Sequence, residues 1–344
     1  MFFFVYEMTH SPQSSALSGF LYSWAPYRFT DIFIRGALGE ASAFLFLPLI
    51  CWLIFSYYKY RKSSLLILIA ICFFLLVLTH NLIAFFSLGV FLLLNLVLRS
   101  IYKVNWKDPV KVFGALVFGL LFASYFWIPA LLEVKYINYV RGYGDINAQF
   151  LSWSSLIYSP WKYAYANPSH SGDTISFQIG LMHIGIVLIS MAFLFLSQVF
   201  TKKSSNNIHR GLLFFFLLLT LLSTVFILDV VQPFYQLSSL FRIIGFPWRL
   251  LTFTVFGISL LGGLVLNYLP RGKAVVVLGI FCLTIYLYLP FAKIVSYAFT
   301  ATDQEYFAMV KTNINFLPDM EFVPLTAQYL PLLEKQGPAR EFSF

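Results

Sequence analysis

Eight apolar runs divide the chain, at roughly 40–57, 64–79, 82–98, 111–131, 177–199, 211–229, 248–268 and 274–292. Most approach the ~20 residues a helix needs to cross a bilayer. The chain has 344 residues, is 60% hydrophobic and carries 40 Phe, more apolar surface than a soluble core of this size can hide. Charged residues make up 11%, against ~25% in a soluble domain. These runs predict an all-α fold, a polytopic transmembrane helix bundle placed in the cell membrane as a multi-pass protein.

The stretch 64–98 is one long run notched by Thr79, His80 and Asn81. A single helix of that length would extend ~50 Å, too far for a ~30 Å hydrocarbon core. Lys59, Arg61 and Lys62 precede it, and Arg99, Lys103, Lys107 and Lys111 follow it. A hairpin with His80 at its outer tip puts both clusters on one side, as the positive-inside rule prefers.

Extending the rule predicts about eight spans with both termini outside. The inner connections then hold twelve basic residues and one acid, Asp108, leaving eleven basic and thirteen acidic residues outside. The net charge of +9 is read as a topology signal rather than as a nucleic-acid footprint. Three regions follow: an extracytoplasmic segment 1–39 with an amphipathic juxtamembrane helix, a helical domain 40–292 with an outer loop 132–176, and an extracytoplasmic tail 293–344. The loop's Tyr, Trp and Pro content suits the membrane interface, and also sugar stacking. "MFFFVYEMTHSPQSS" lacks the basic and apolar regions of a signal peptide, so an outer N-terminus predicts an upstream span in a longer natural chain.

Cys51, Cys72 and Cys282 lie inside apolar runs and suggest neither disulfide nor zinc site. No phosphate-binding loop, dinucleotide fingerprint, zinc-protease motif or nucleophile elbow occurs. No cofactor is expected, and no local motif builds a metal site.

The polar residues that remain gather at the predicted outer face. In "YRFTDIFIRGALGE", Arg28, Asp31 and Arg35 share one helical face and Glu40 opens the first span. An interfacial amphipathic helix explains this with no chemistry. The alternative is a polar cavity in which arginines grip an anionic headgroup. Glu133 ends the fourth span, and Arg242 and Arg249 flank the seventh in "FRIIGFPWR". Ionisable residues near membrane depth are functional candidates. His183, just inside the fifth span, is read as a packing residue. On a continuous helix Arg35 and Glu40 lie ~140° apart, so one of them should look to another span, with Arg249 as the partner. A helix break at Gly36 or Gly39 would instead let Arg35 and Glu40 pair directly.

The blocks "PYRFTDIFIRGALGEASAFLFLPLI", "LTHNLIAFF", "FWIPALLEVKY" and "GFPWRLLTF", over roughly residues 20–260, resemble the prokaryotic membrane proteins called 6-pyruvoyl-tetrahydropterin-synthase-related. Pterin chemistry is not implied. That family resembles membrane-embedded glycosyltransferases that use polyprenyl-phosphate sugars. The resemblance implies an outer-face protein whose partners are membrane lipids, a polyprenyl-phosphate sugar and a glycan or protein acceptor. It assigns recurrent polar positions to Asp31, Arg35, Glu40, His80, Glu133 and Arg249. Asp31 or Glu40 would deprotonate the acceptor, and Arg35, Arg242 or Arg249 would neutralise the leaving phosphate. The family's catalytic acid would lie upstream of Met1. A flippase of lipid-linked glycans and a non-catalytic scaffold stand as competing readings.

Overall fold

The computed structural model of the chain describes residues 1–136, 149–161, 175–200, 207–236 and 246–292, with the single positions 302 and 304. The described chain is helical, and an isolated bridge between Leu151 and Leu228 is its one extended pairing.

A tight helical pair comes first. Helix α1 (Phe2–Thr9) ends at His10 in the left-handed region, and α2 (Pro12–Ser23) starts at once. Ser11 caps α2 by accepting from the Ser14 N–H, with Pro12 at the first helical position. The short α3 (Pro26–Phe29) runs into a π-helical turn, Thr30–Ile34. The long α4 (Leu38–Tyr60) follows, closed by Arg61 in the left-handed region.

Next come α5 (Ser64–Thr79) and α6 (Asn81–Tyr102), separated by His80 alone in an extended conformation. The first turn of α4 meets the last residue of α5, since Gly39 lies against the Thr79 carbonyl. The last turn of α6 returns to the last turn of α4, where the Tyr58 and Tyr102 rings sit 6.0 Å apart. The run 64–98 is therefore a hairpin with His80 at its tip, and the two basic clusters fall at the same end.

Helix α7 (Lys107–Phe122) continues into α8 (Ser124–Glu133) through a 63° bend. The short α9 (Trp153–Ile157), then α10 (Leu181–Phe200), α11 (Asn207–Val225), α12 (Gln232–Gln236), α13 (Leu251–Asn267) and α14 (Lys273–Tyr288) complete the described helices. Helix α13 is the hub. It is packed on nearly all sides, and at Gly263 its backbone comes so close that a Cβ would lie 2.8 Å from the Ser14 carbonyl of α2.

The bundle has two chemically distinct ends. One carries Lys59 paired with Glu7 (2.6 Å) and Arg61 paired with Asp108 (2.7 Å), and His209 Nε2 bonds the Met8 carbonyl there. The other carries Glu40, His80 and the contact of His183 with the Leu21 carbonyl. Helices α4, α5, α6, α7, α10, α11, α13 and α14 run alternately between these ends.

Among the described residues four helical stretches are long and apolar enough to cross a membrane: Leu38–Tyr60, Asn81–Tyr102, Pro247–Asn267 and Lys273–Ala292. The bent pair Lys107–Phe122 and Ser124–Glu133 makes a fifth if it counts as one span. The others are apolar but shorter: the 16 residues of α5 rise only ~24 Å. The coarse expectation, a helical protein of membrane-spanning character, is what the structure shows.

The segment 1–39 is not a separate layer. Phe4, Val5, Met8, Leu17 and Leu21 of α1 and α2 are buried in the common core, and Glu7 reaches Lys59 at the end of the bundle opposite Glu40. Helices of eight and twelve residues fall below the length of a span, so a search for ~20-residue runs passes over them. The loop 132–176 and the tail 293–344 lie largely outside the described residues.

Candidate functional site

The charges of the stretch 27–40 are gathered by a backbone break. The π-turn at Thr30–Ile34 is wider than an α-turn, a feature frequent at functional sites. Gly36 follows at φ 61°, a conformation that a residue with a Cβ adopts at a cost. The Ala37 N–H then donates to the Asp31 carbonyl at 3.0 Å, turning the chain into α4. Asp31, Arg35 and Glu40 converge, with Glu40 in the first turn of α4, where the helix dipole favours a carboxylate.

Glu40 is the hub of the cluster and is 1% exposed. Its Oε1 accepts from the Tyr27 hydroxyl at 2.5 Å and from Thr252 Oγ1 at 3.4 Å. Its Oε2 accepts from Arg35 Nη1 at 2.9 Å, with Arg249 Nε at 3.9 Å and His80 Nε2 at 4.0 Å. Arg35 Nη1 also donates to Asp31 Oδ1. The Arg35 guanidinium lies over the Trp248 ring, 4.3 Å from its centroid, and Arg249 lies 4.7 Å from the centroid of Phe246. Three regions that are distant in sequence meet here: α3 with its π-turn and the start of α4, the tip of the hairpin, and the turn Pro247–Leu250 with the start of α13.

His80 does two jobs. Its Nδ1 accepts from the Ile83 N–H at 3.2 Å and caps α6. That assigns the proton of the neutral ring to Nε2, which faces Glu40. Burial lowers the His80 pKa to about 4, with Arg249 and Arg35 adding to the effect and Glu40 opposing it. The ring is therefore uncharged at neutral pH.

Burial and the neighbouring Glu40 charge raise the Asp31 pKa to about 8, although Arg35 and Arg249 pull it down. Burial alone would lower that of Arg35, but Tyr27, Glu40 and Asp31 outweigh it and hold the guanidinium firmly charged. With Asp31 drawn toward its neutral form, the two guanidiniums are less than fully balanced by the two carboxylates. Arg35 is 12% and Arg249 19% exposed, so both keep an edge at the surface. Arg249 Nε has no hydrogen-bond partner among the described residues. The arrangement is suited to receiving an anion.

Five of the seven sequence candidates meet here: Asp31, Glu40, Arg35, His80 and Arg249. Glu133 is not among them; it is exposed at the end of α8 and makes none of the described contacts with the cluster. The reason is the 63° bend, which turns α8 away from the line of α7. Arg242 lies outside the described residues. The expectation that Asp31 or Glu40 presents a base to an acceptor does not match this conformation. Both side chains are fully enclosed, and Glu40 already holds three donors.

Tyr27, Trp248 and Thr252 were not picked out from the sequence. Thr252 had a usable signal, because it follows Arg249 by three residues and shares its helical face. Tyr27 had none, as its thirteen-residue separation from Glu40 has no helical period. Among the described residues no group of three or more His, Cys, Asp or Glu side chains could hold a metal ion. Comparison with protein-family models, curated proteins and solved structures gives no match to this chain.

Proposed function

We propose that this chain is a multi-pass protein of the cell membrane that binds a lipid-linked phosphate, as polyprenyl-phosphate-sugar glycosyltransferases do, at the end that carries Glu40. In this reading eight helices cross the membrane, the Glu40 end is the outer one and the C-terminal tail lies outside, whereas α1, whose Glu7 pairs with Lys59, lies toward the inner end. The kinship with the 6-pyruvoyl-tetrahydropterin-synthase-related proteins belongs to the same proposal. One observation supports it above the others. Two guanidiniums are held beside Trp248 by a buried carboxylate, each with a surface edge. Arg249, the more exposed of the two at 19%, would take the phosphate. Arg35 is already committed to Asp31 and Glu40 and would position it. A glycan or protein acceptor would approach from the outer side.

The burial of both carboxylates favours a second reading, a non-catalytic scaffold in which the cluster only ties helices together. Binding separates the two. Polyprenyl phosphate should bind the purified protein in nanodiscs, and Arg249→Gln should weaken it roughly 10–100-fold, the worth of charge-assisted hydrogen bonds. Native mass spectrometry reads both; equal binding by the variant would favour the scaffold. The topology has its own test. In a background without Cys51, Cys72 and Cys282, a cysteine at the exposed Ser154 should react with an impermeant reagent in intact cells. One at the exposed Ser63, in the α4–α5 turn, should not. The reverse pattern would invert the orientation.

A further inference from the structure

A second feature of the Glu40 end lies apart from the Arg35–Arg249 pair. A cleft of about 520 Å³ runs between α2 and the first half of α4. This is within the ~300–1,000 Å³ range of small-molecule sites. Ala16 and Gly19 form one wall and Ala41, Phe44, Leu45 and Pro48 the other. The small residues leave the space, and the exposure of Leu45 (64%) and Phe2 (40%) shows that the cleft opens sideways. Its walls are mostly apolar, with Tyr22, Ser23 and Arg28 adding polar surface. At the Glu40 end it is closed by Trp24 and Arg28.

Arg28 is the informative residue. Its guanidinium lies 5.8 Å from the Phe44 ring centroid, and among the described residues no carboxylate forms an ion pair with it. Trp24 beside it suits the headgroup level of a bilayer, where indoles concentrate. A mostly apolar channel that ends at a tryptophan and at a guanidinium with no ion pair among the described residues matches a hydrocarbon chain that ends in one negative charge.

We propose that the α2–α4 cleft binds an anionic phospholipid, with one acyl chain along Gly19, Phe44 and Pro48 and its phosphodiester at Arg28. Charge selects this occupant over a phosphomonoester. One guanidinium balances the single charge of a phosphodiester and leaves the second charge of a phosphomonoester without a partner. The site is independent of the lipid-phosphate reading of Arg35 and Arg249.

Delipidated protein, incubated with phosphatidylglycerol, phosphatidylcholine or polyprenyl phosphate in mixed micelles and examined by native mass spectrometry, tests the proposal. The wild type should retain one phosphatidylglycerol at least roughly tenfold more than phosphatidylcholine. Arg28→Gln should remove that preference, and Arg249→Gln should preserve it. Gly19→Leu, which fills the cleft, should reduce retention of both phospholipids. Unchanged phosphatidylglycerol retention in Arg28→Gln would overturn the proposal, as would equal retention of phosphatidylcholine or displacement of phosphatidylglycerol by polyprenyl phosphate in the Arg249→Gln protein. The glutamine variant keeps the backbone and the length of a polar side chain, so the result stands if Gly19→Leu fails to fold.

Discussion

Replacing Glu40 by alanine should destabilise the protein by about 3–5 kcal/mol, the range for removing one partner of a buried ion pair. The Arg35 guanidinium would stay enclosed with only Asp31 against it. The hydroxyl of Tyr27, itself buried, would lose its acceptor, at a further ~1–3 kcal/mol where nothing replaces it. These terms overlap and do not add. Glu40→Gln should cost less, because the amide oxygen still accepts from Tyr27 while the charge facing Arg35 is lost. The double replacement Arg35→Met with Glu40→Leu should cost less than the sum of the single changes, since it leaves no lone buried charge. Thermal unfolding in a fixed detergent measures all three. A Glu40→Ala protein within ~1 kcal/mol of wild type would mean that water reaches the cluster and solvates Arg35, and the buried hub would have to be abandoned.

The sequence made the large features legible because they are long. A 22-residue apolar helix such as α6 can hide its backbone polar groups in a bilayer and announces itself by length alone. The hairpin was legible from charge, because Lys59, Arg61 and Arg99 must share a side. The pair α1–α2 was not, because its helices are short and their partners, α4 and α13, lie far along the chain. The site divides in the same way. Asp31, Arg35 and Glu40 stood out as charges at the mouth of a span. Whether Arg35 and Glu40 could meet depended on Gly36 at φ 61°, which removes the ~140° separation of a continuous helix. Both alternatives open at that point are realised together, a direct pair and an approach by Arg249. Glu133 looked equivalent to them because the sequence carries no measure of the bend between α7 and α8.

Glycine 39 sets the distance between the two halves of the site, and a methyl group there should open it. The Cβ of an alanine would lie 2.6 Å from the Thr79 carbonyl oxygen and 4.0 Å from the His80 ring. The obstacle is backbone, so α4 and the tip of the α5–α6 hairpin must separate. Alanine favours a helix over glycine by ~0.5–1 kcal/mol, and overpacking costs ~1–3 kcal/mol. The second effect should win, leaving Gly39→Ala less stable by about 1–2 kcal/mol. Gly114 of α7 supplies the matched comparison, because a Cβ there meets nothing within 4 Å. Gly114→Ala should be neutral or stabilising by up to ~1 kcal/mol. The local consequence at Gly39 follows from geometry. His80 would withdraw from Glu40, its surroundings would become wetter, and its pKa should rise from about 4 toward ~6.5, the ordinary value. A histidine titration followed by NMR on selectively labelled protein reads this directly. Equal stability of the two alanine variants, with an unmoved His80 titration, would show that α4 and the hairpin tip are not in contact at Gly39.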